Sequence, residues 1–187
     1  ECADRSAFGE NPCACTALQQ LAALSDTLQA EAPWNDLANK PSCQTGSLGV
    51  GCSLINGVVL PIRVIAEGKG LAGALPPSLG ELGLVTVLTL PRNAITSLPT
   101  EIGVLKGMKD LDLMDNAITS LPTEIGFLTA FQFLGLSDND LGAEIPSEFR
   151  VISPSNACFL YDNGPDFTCA NVGADTTCCT DENCGST

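Results

Sequence analysis

The decapeptide Ala94-Ile95-Thr96-Ser97-Leu98-Pro99-Thr100-Glu101-Ile102-Gly103 recurs unchanged from Ala117 to Gly126, 23 residues further on. Self-similarity at such a period marks a chain built from stacked, near-identical units. Around each copy, apolar residues fall at fixed offsets from an asparagine, as L-x-x-L-x-L-x-x-N-x-L. One copy reads Val85, Leu88, Leu90, Asn93, Ile95; the next reads Met108, Leu111, Leu113, Asn116, Ile118; a third reads Phe131, Leu134, Leu136, Asn139, Leu141. A weaker first copy has Val64, Ala66 and Leu71, with Lys69 in place of asparagine. Alternating apolar residues such as Leu88 and Leu90 point one side of a short strand inward. The Leu-Pro and Ile-Gly elements return the chain along the opposite side, burying Leu98, Ile102 and Leu105. One coil cannot bury its own apolar edge, so the core exists only by stacking. The expected fold is an α/β solenoid of about four coils with a concave parallel β-sheet. Asn93, Asn116 and Asn139 are expected to stack as a ladder bonded to backbone groups, and Asn116→Ala to cost on the order of 1–3 kcal/mol.

Further out, the two outer coils carry Leu71-Ala72-Gly73-Ala74-Leu75-Pro76 and Leu141-Gly142-Ala143-Glu144-Ile145-Pro146. Upstream, Thr16 and Gln19 have the spacing of a capping box ahead of an amphipathic run with Leu18, Leu21, Leu24 and Leu28, which predicts a helix over about 17–30. Then come Trp34-Asn35, Cys43, Gly49-Val50-Gly51-Cys52 and Gly57-Val58-Val59. These features resemble the plant-type leucine-rich repeat of receptor-kinase ectodomains and polygalacturonase-inhibiting proteins, over roughly residues 16 to 150. The resemblance implies a helical N-terminal cap whose Cys43 and Cys52 pair. The organisation so read is a cysteine-containing cap over 1–60, repeats over 61–153 (61–84, 85–107, 108–130 and 131–153), and an acidic cysteine-rich C-terminal cap over 154–187.

Ten cysteines gather at the ends: Cys2, Cys13, Cys15, Cys43 and Cys52 near the start, Cys158, Cys169, Cys178, Cys179 and Cys184 near the finish. Such density in a short chain predicts disulfides and a secreted, extracellular protein, read here as a mature product with its signal sequence removed. Zinc fits poorly, since the chain has no histidine and neither cysteine cluster has paired C-x-x-C spacing. Eight basic residues against twenty-two acidic ones give a net charge of −14, which repels nucleic acid and anionic lipid. No apolar run is long enough to span a membrane.

Catalysis is not expected. Zero histidines remove the commonest general base. Asp110, Asp112, Asp115 and Asp138 could pair as glycosidase carboxylates, but acidic strand positions facing solvent explain them equally, and no apolar pocket is implied. No cofactor is expected; calcium at Asp138-Asn139-Asp140 or Asp162-Asn163-Gly164-Pro165-Asp166 is a lesser expectation, and turn chemistry explains Asn163-Gly164-Pro165 just as well.

Two functions remain. The favoured one is structural: copies of the chain associating end to end into a filament or matrix. Five cysteines at each end leave one over after internal pairing, with Cys2 and Cys184 as candidates for an intermolecular disulfide. The alternative is recognition of an extracellular protein or glycan on the concave face. The exposed positions there are Arg63, Glu67, Thr89, Arg92, Asp110, Asp112, Met114, Asp115, Phe133 and Asp138. Arg92, Met114 and Phe133 carry the chemistry most enriched in contact cores.

Overall fold

The computed structural model describes residues 12–26, 49–55, 58–142, 145–151, 157–164 and 167. Helix α1 (Pro12–Ala22) comes first, then strands β1 (Gly49–Ile55) and β2 (Val58–Ile65). Short strands follow at repeat spacing: β3 (Ala72–Ala74), β4 (Val87–Thr89), β5 (Ala94–Ser97), β6 (Asp110–Asp112), β7 (Phe133–Gly135) and β8 (Ala157–Phe159). The main sheet runs β1-β2-β4-β6-β7-β8, and β3 pairs with β5 in a second, two-stranded sheet. From β2 onward every neighbour in the main sheet is parallel, with Val64, Leu88, Leu111, Leu134 and Cys158 in register. Leu88, Leu111 and Leu134 are fully buried, and so are Leu90, Leu113 and Leu136 two residues on. This column is the core that no single coil could form.

The return segments are 3-10 turns at Pro77–Glu81, Thr100–Val104, Thr123–Phe127 and Ser147–Val151. Proline explains their tightness. Pro76, Pro99 and Pro122 hold extended dihedrals just before the first three turns, and five residues suffice for i→i+3 bonds but not for a stable α-helix. Ile102 N–H donates to Pro99 O and Leu105 N–H to Ile102 O; Ile125 and Leu128 repeat the pattern one coil later. Each turn drops one apolar side chain inward, Leu79, Ile102, Ile125 and Phe149 being completely buried.

The asparagines tie coil to coil. Asn93 Oδ1 accepts from Lys69 N–H and Leu71 N–H, both at 3.0 Å. Asn116 Oδ1 accepts from Ile95 N–H and Asn139 Oδ1 from Ile118 N–H, again at 3.0 Å. Their amide nitrogens donate to carbonyls of their own coil and of the coil before. The Leu113 carbonyl is thereby shared by Asn116 (3.0 Å) and Asn139 (2.9 Å). Leu90 is shared by Asn93 and Asn116 in the same way. An amide both donates and accepts, so one side chain satisfies groups on two coils that would otherwise be buried unpaired.

Three features differ from the sequence reading or extend it. The helix predicted over 17–30 begins at Pro12, so Thr16 lies inside it and the proposed capping box does not start it. Proline is favoured in a first turn because its missing N–H would be unpaired there anyway. Helical structure is also interrupted at 23–25: Ser25 is buried, and its hydroxyl donates to the Lys69 carbonyl while Ala72 N–H donates to Leu24 O. These bonds fix the end of α1 against the first coil. Second, the main sheet opens with an antiparallel pair, β1 against β2, in which Val50 faces Val64. Third, the stacking runs on past the fourth copy. β8 adds Cys158, Leu160 and Asn163 at the repeat offsets, and Asn163 Nδ2 donates to Leu136 O at 2.9 Å. Asn163, which the sequence offers as a calcium ligand or a turn residue, is a further rung of the ladder.

Cys52 on β1 and Cys158 on β8 are each disulfide-bonded. Those strands are five steps apart in the sheet, about 24 Å at the usual strand spacing, so the two are not bonded to one another. The Cys43–Cys52 pairing falls on Cys43, which lies outside the described residues, as do Cys2, Cys169, Cys178, Cys179 and Cys184.

Candidate functional site

Strand alternation sends Leu88, Leu111 and Leu134 into the core and their neighbours outward. The outward rows are set by register. Arg63, Val87, Asp110 and Phe133 form one; Ile65, Thr89, Asp112, Gly135 and Phe159 form the next. Between them lies a shallow groove of about 410 Å³, bounded by Arg63, Val87 and Thr89 on one side and by Asp110, Asp112, Gln132 and Phe133 on the other. Five of the ten exposed positions read from the sequence, Arg63, Thr89, Asp110, Asp112 and Phe133, therefore share one groove.

The other five lie around it. Glu67 and Arg92 pair at 2.8 Å in solvent, a contact contributing little to stability. Arg92, Asp115 and Asp138 each precede a ladder asparagine and take left-handed dihedrals, φ 58°, 55° and 56°, with Asp162 at 53° before Asn163. Aspartate tolerates this conformation better than most residues. The left-handed step lifts the chain off the strand, and leaves Asp115, Asp138 and Asp162 exposed as an acidic row along the sheet. Met114 is half-buried beside Gly135.

Sequence reading missed the aromatic end of this face. Phe133 and Phe159 lie with ring centroids 5.6 Å apart, and Tyr161 meets Phe159 edge-on at 6.3 Å. The signal was present in Cys158, Leu160 and Asn163, whose offsets assign Phe159 and Tyr161 outward positions. Gly135 sits in register between Asp112 and Phe159. A Cβ there would stand 3.0 Å from Asp112 Oδ1, Met114 Cγ and Phe133 Cε1; its absence lets all three lean over the backbone.

The Asp112 carboxyl is held above the usual carboxylate range. Burial is the main cause, the nearby charge of Glu67 adds to it, and a hydrogen bond from Met114 N–H (3.2 Å) opposes both. A carboxyl whose folded pKa is raised costs stability when ionised; that cost is absent below the unfolded pKa and appears as pH rises through the window up to the folded one. Asp112→Asn keeps the acceptor for Met114 N–H and removes the charge. The variant is expected to be more stable than the parent near about pH 7 and equal to it near about pH 3. Urea denaturation at the two pH values checks this, and a variant less stable at neutral pH would contradict it.

Among the described residues no group of three potential ligands is placed to hold a metal ion, and no helix is long and apolar enough to cross a membrane. Asn139, within one of the two suggested calcium segments, is committed at both amide ends to the ladder.

Residues 84–141 match the family model described as leucine rich repeat. The fold is that of the leucine-rich repeat. No curated protein matches the sequence. Among solved structures, the leucine-rich-repeat solenoid is similar to a plant ice-binding protein, with TM-score 0.65 and 22% identity over 82% of this chain and 48% of that one. The chain thus spans about half the length of that protein. It also resembles the LRR ectodomain of the receptor kinase SOBIR1 from Arabidopsis thaliana (TM-score 0.58, 22% identity, 75% of this chain and 76% of that one). A chain of the BIR3–SERK2 complex from the same plant gives TM-score 0.60 and 26% identity over 77% of this chain and 78% of that one. Each likeness is one of fold.

Proposed function

We propose that this protein is a non-catalytic extracellular recognition module that binds a protein or glycan on its concave sheet. The observation that carries the reading is the groove itself: an open depression of about 410 Å³ whose walls combine Arg63, Asp110, Asp112, Gln132 and Phe133. Mixed apolar and polar lining of that size is typical of ligand sites. Two of the similar structures support it in kind, one being a receptor-kinase ectodomain and another a chain from a two-protein complex.

End-to-end assembly rests instead on Cys2 and Cys184, both outside the described residues, and the concave face offers more definite chemistry. Non-reducing electrophoresis of the native protein together with binding to an array of extracellular proteins and glycans separates the two readings. Recognition predicts a monomer band and saturable binding to a small set of ligands. A reductant-sensitive ladder with no ligand bound would replace it with the filament.

A further inference from the structure

The aromatic end of the groove has a more specific chemistry than the rest. Phe133 Cε1 lies 3.0 Å from where a Cβ of Gly135 would be, so the ring leans across bare backbone. Asp110 is in register beside Phe133, and Asp112 beside Gly135. The next strand supplies Phe159, then Tyr161. All three rings are only half-buried. At the repeat position between Met114 and Tyr161 the Ser137 hydroxyl is completely buried and, among the described residues, has no hydrogen-bond partner. Half-buried ring faces flanked by carboxylates are organised to receive a cation.

We propose that this platform accepts the guanidinium of an arginine carried by a basic segment of a partner protein. The inference rests on the concave-face reading above and adds the chemistry of the occupant. Ring faces carry negative quadrupole density and attract a cation stacked on them. A planar guanidinium can stack on an aromatic ring while its N–H groups reach a carboxylate beside it, which a compact ammonium does less well. Asp110 and Asp112 are those carboxylates. Arg63 stands across β4 from Asp110, two strands away, and Arg92 is engaged with Glu67. Beyond the groove, the exposed row of Asp115, Asp138 and Asp162 and a net charge of −14 draw a basic chain toward the face. A neutral sugar would use the rings but leave both carboxylates without a counter-charge, so the arginine-bearing segment is the better fit.

The test is an NMR titration of the intact, disulfide-bonded protein with three probes: a blocked alanine-arginine-alanine peptide, its citrulline counterpart, and a neutral hexose oligosaccharide. Citrulline keeps the shape of arginine and loses its charge. Saturable shifts at Asp112, Phe133 and Gly135 are expected with the arginine peptide, and at least about tenfold weaker binding with citrulline. Phe133→Leu, which keeps an apolar side chain and removes the ring, and Asp112→Asn should each weaken the arginine peptide by about tenfold while leaving the backbone spectrum folded. Equal binding of arginine and citrulline peptides would overturn the proposal, as would tighter binding of the oligosaccharide at these residues, although recognition by the concave face would then stand. Shifts confined to residues off the concave sheet would remove both.

Discussion

Replacing Asn139 by Ala should cost about 3 kcal/mol, near the upper end for loss of one buried polar side chain, because four backbone groups are touched at once. The side chain is nearly inaccessible. Its Oδ1 is the acceptor for Ile118 N–H, and its Nδ2 reaches the carbonyls of Leu113, Leu136 and Ser137. Those carbonyls keep other donors: Asn116 for Leu113, Asn163 for Leu136, and Asp115 N–H for Ser137. Ile118 N–H loses its acceptor, and the orphaned donor dominates the cost. Two comparisons follow. Among the described residues Asn163 Oδ1 is buried without a partner, so Asn163→Ala strands none of their N–H groups and should cost only about 1 kcal/mol. Removing Asn116 and Asn139 together takes both side-chain donors from Leu113 O, so the double variant should lose about 1 kcal/mol more than the sum of the singles. Chemical denaturation of the parent, the three single variants and the double variant measures all of this; strict additivity would mean the rungs act independently.

Gly126→Ala should be equally damaging, at about 3 kcal/mol, for a steric reason. An added Cβ would lie 2.6 Å from both Cβ and O of Glu148 on the next coil, and 3.0 Å from its carbonyl carbon. The backbone atoms cannot swing aside, so the Ser147–Val151 turn must move away from Thr123–Phe127 and open the core beneath. Gly103 shows the same approach to Glu124 at 2.8 Å, and Gly80 to Glu101 at 2.9 Å. The convex turns therefore nest through a row of missing side chains, which is why the Ile-Gly pair recurs within the repeated decapeptide. Gly83 and Gly107 meet nothing within 4 Å, and alanine at either should change stability by less than about 0.5 kcal/mol. Thermal or urea melts of the variants distinguish a packing requirement from a general intolerance of alanine.

The solenoid was legible because its determinants are local and periodic. Leu88, Leu90, Asn93 and their copies at 23-residue spacing each report the same inward or outward orientation, and errors in one copy are corrected by the next. The ends lack that redundancy. Where α1 begins depended on Pro12, not on Thr16, and the break after Ala22 depends on Ser25 meeting the Lys69 carbonyl, a contact 44 residues apart in sequence. The fourth rung was hidden because Cys158 stands where leucine is usual, and a cysteine there fits a disulfide as well as a repeat position. Missing that rung concealed Phe159 and Tyr161, and with them the aromatic end of the groove. The outward positions on the inner coils were readable from strand alternation alone. Which of them share a groove was not, because Gly135 acts by what it lacks: Phe133, Asp112 and Met114 converge over it through the third dimension.

The claim that the concave sheet is the working surface is tested most directly by pairing one substitution on each face. Phe133→Ser alters the groove, whereas Phe127→Ser alters an exposed apolar residue of the convex turns, 59% accessible. Both variants should fold, which circular dichroism verifies, and both are then carried through the same array of extracellular proteins and glycans. The account predicts that Phe133→Ser loses the bound ligands and Phe127→Ser retains them. Loss on the convex substitution, with full binding by the concave one, would contradict it.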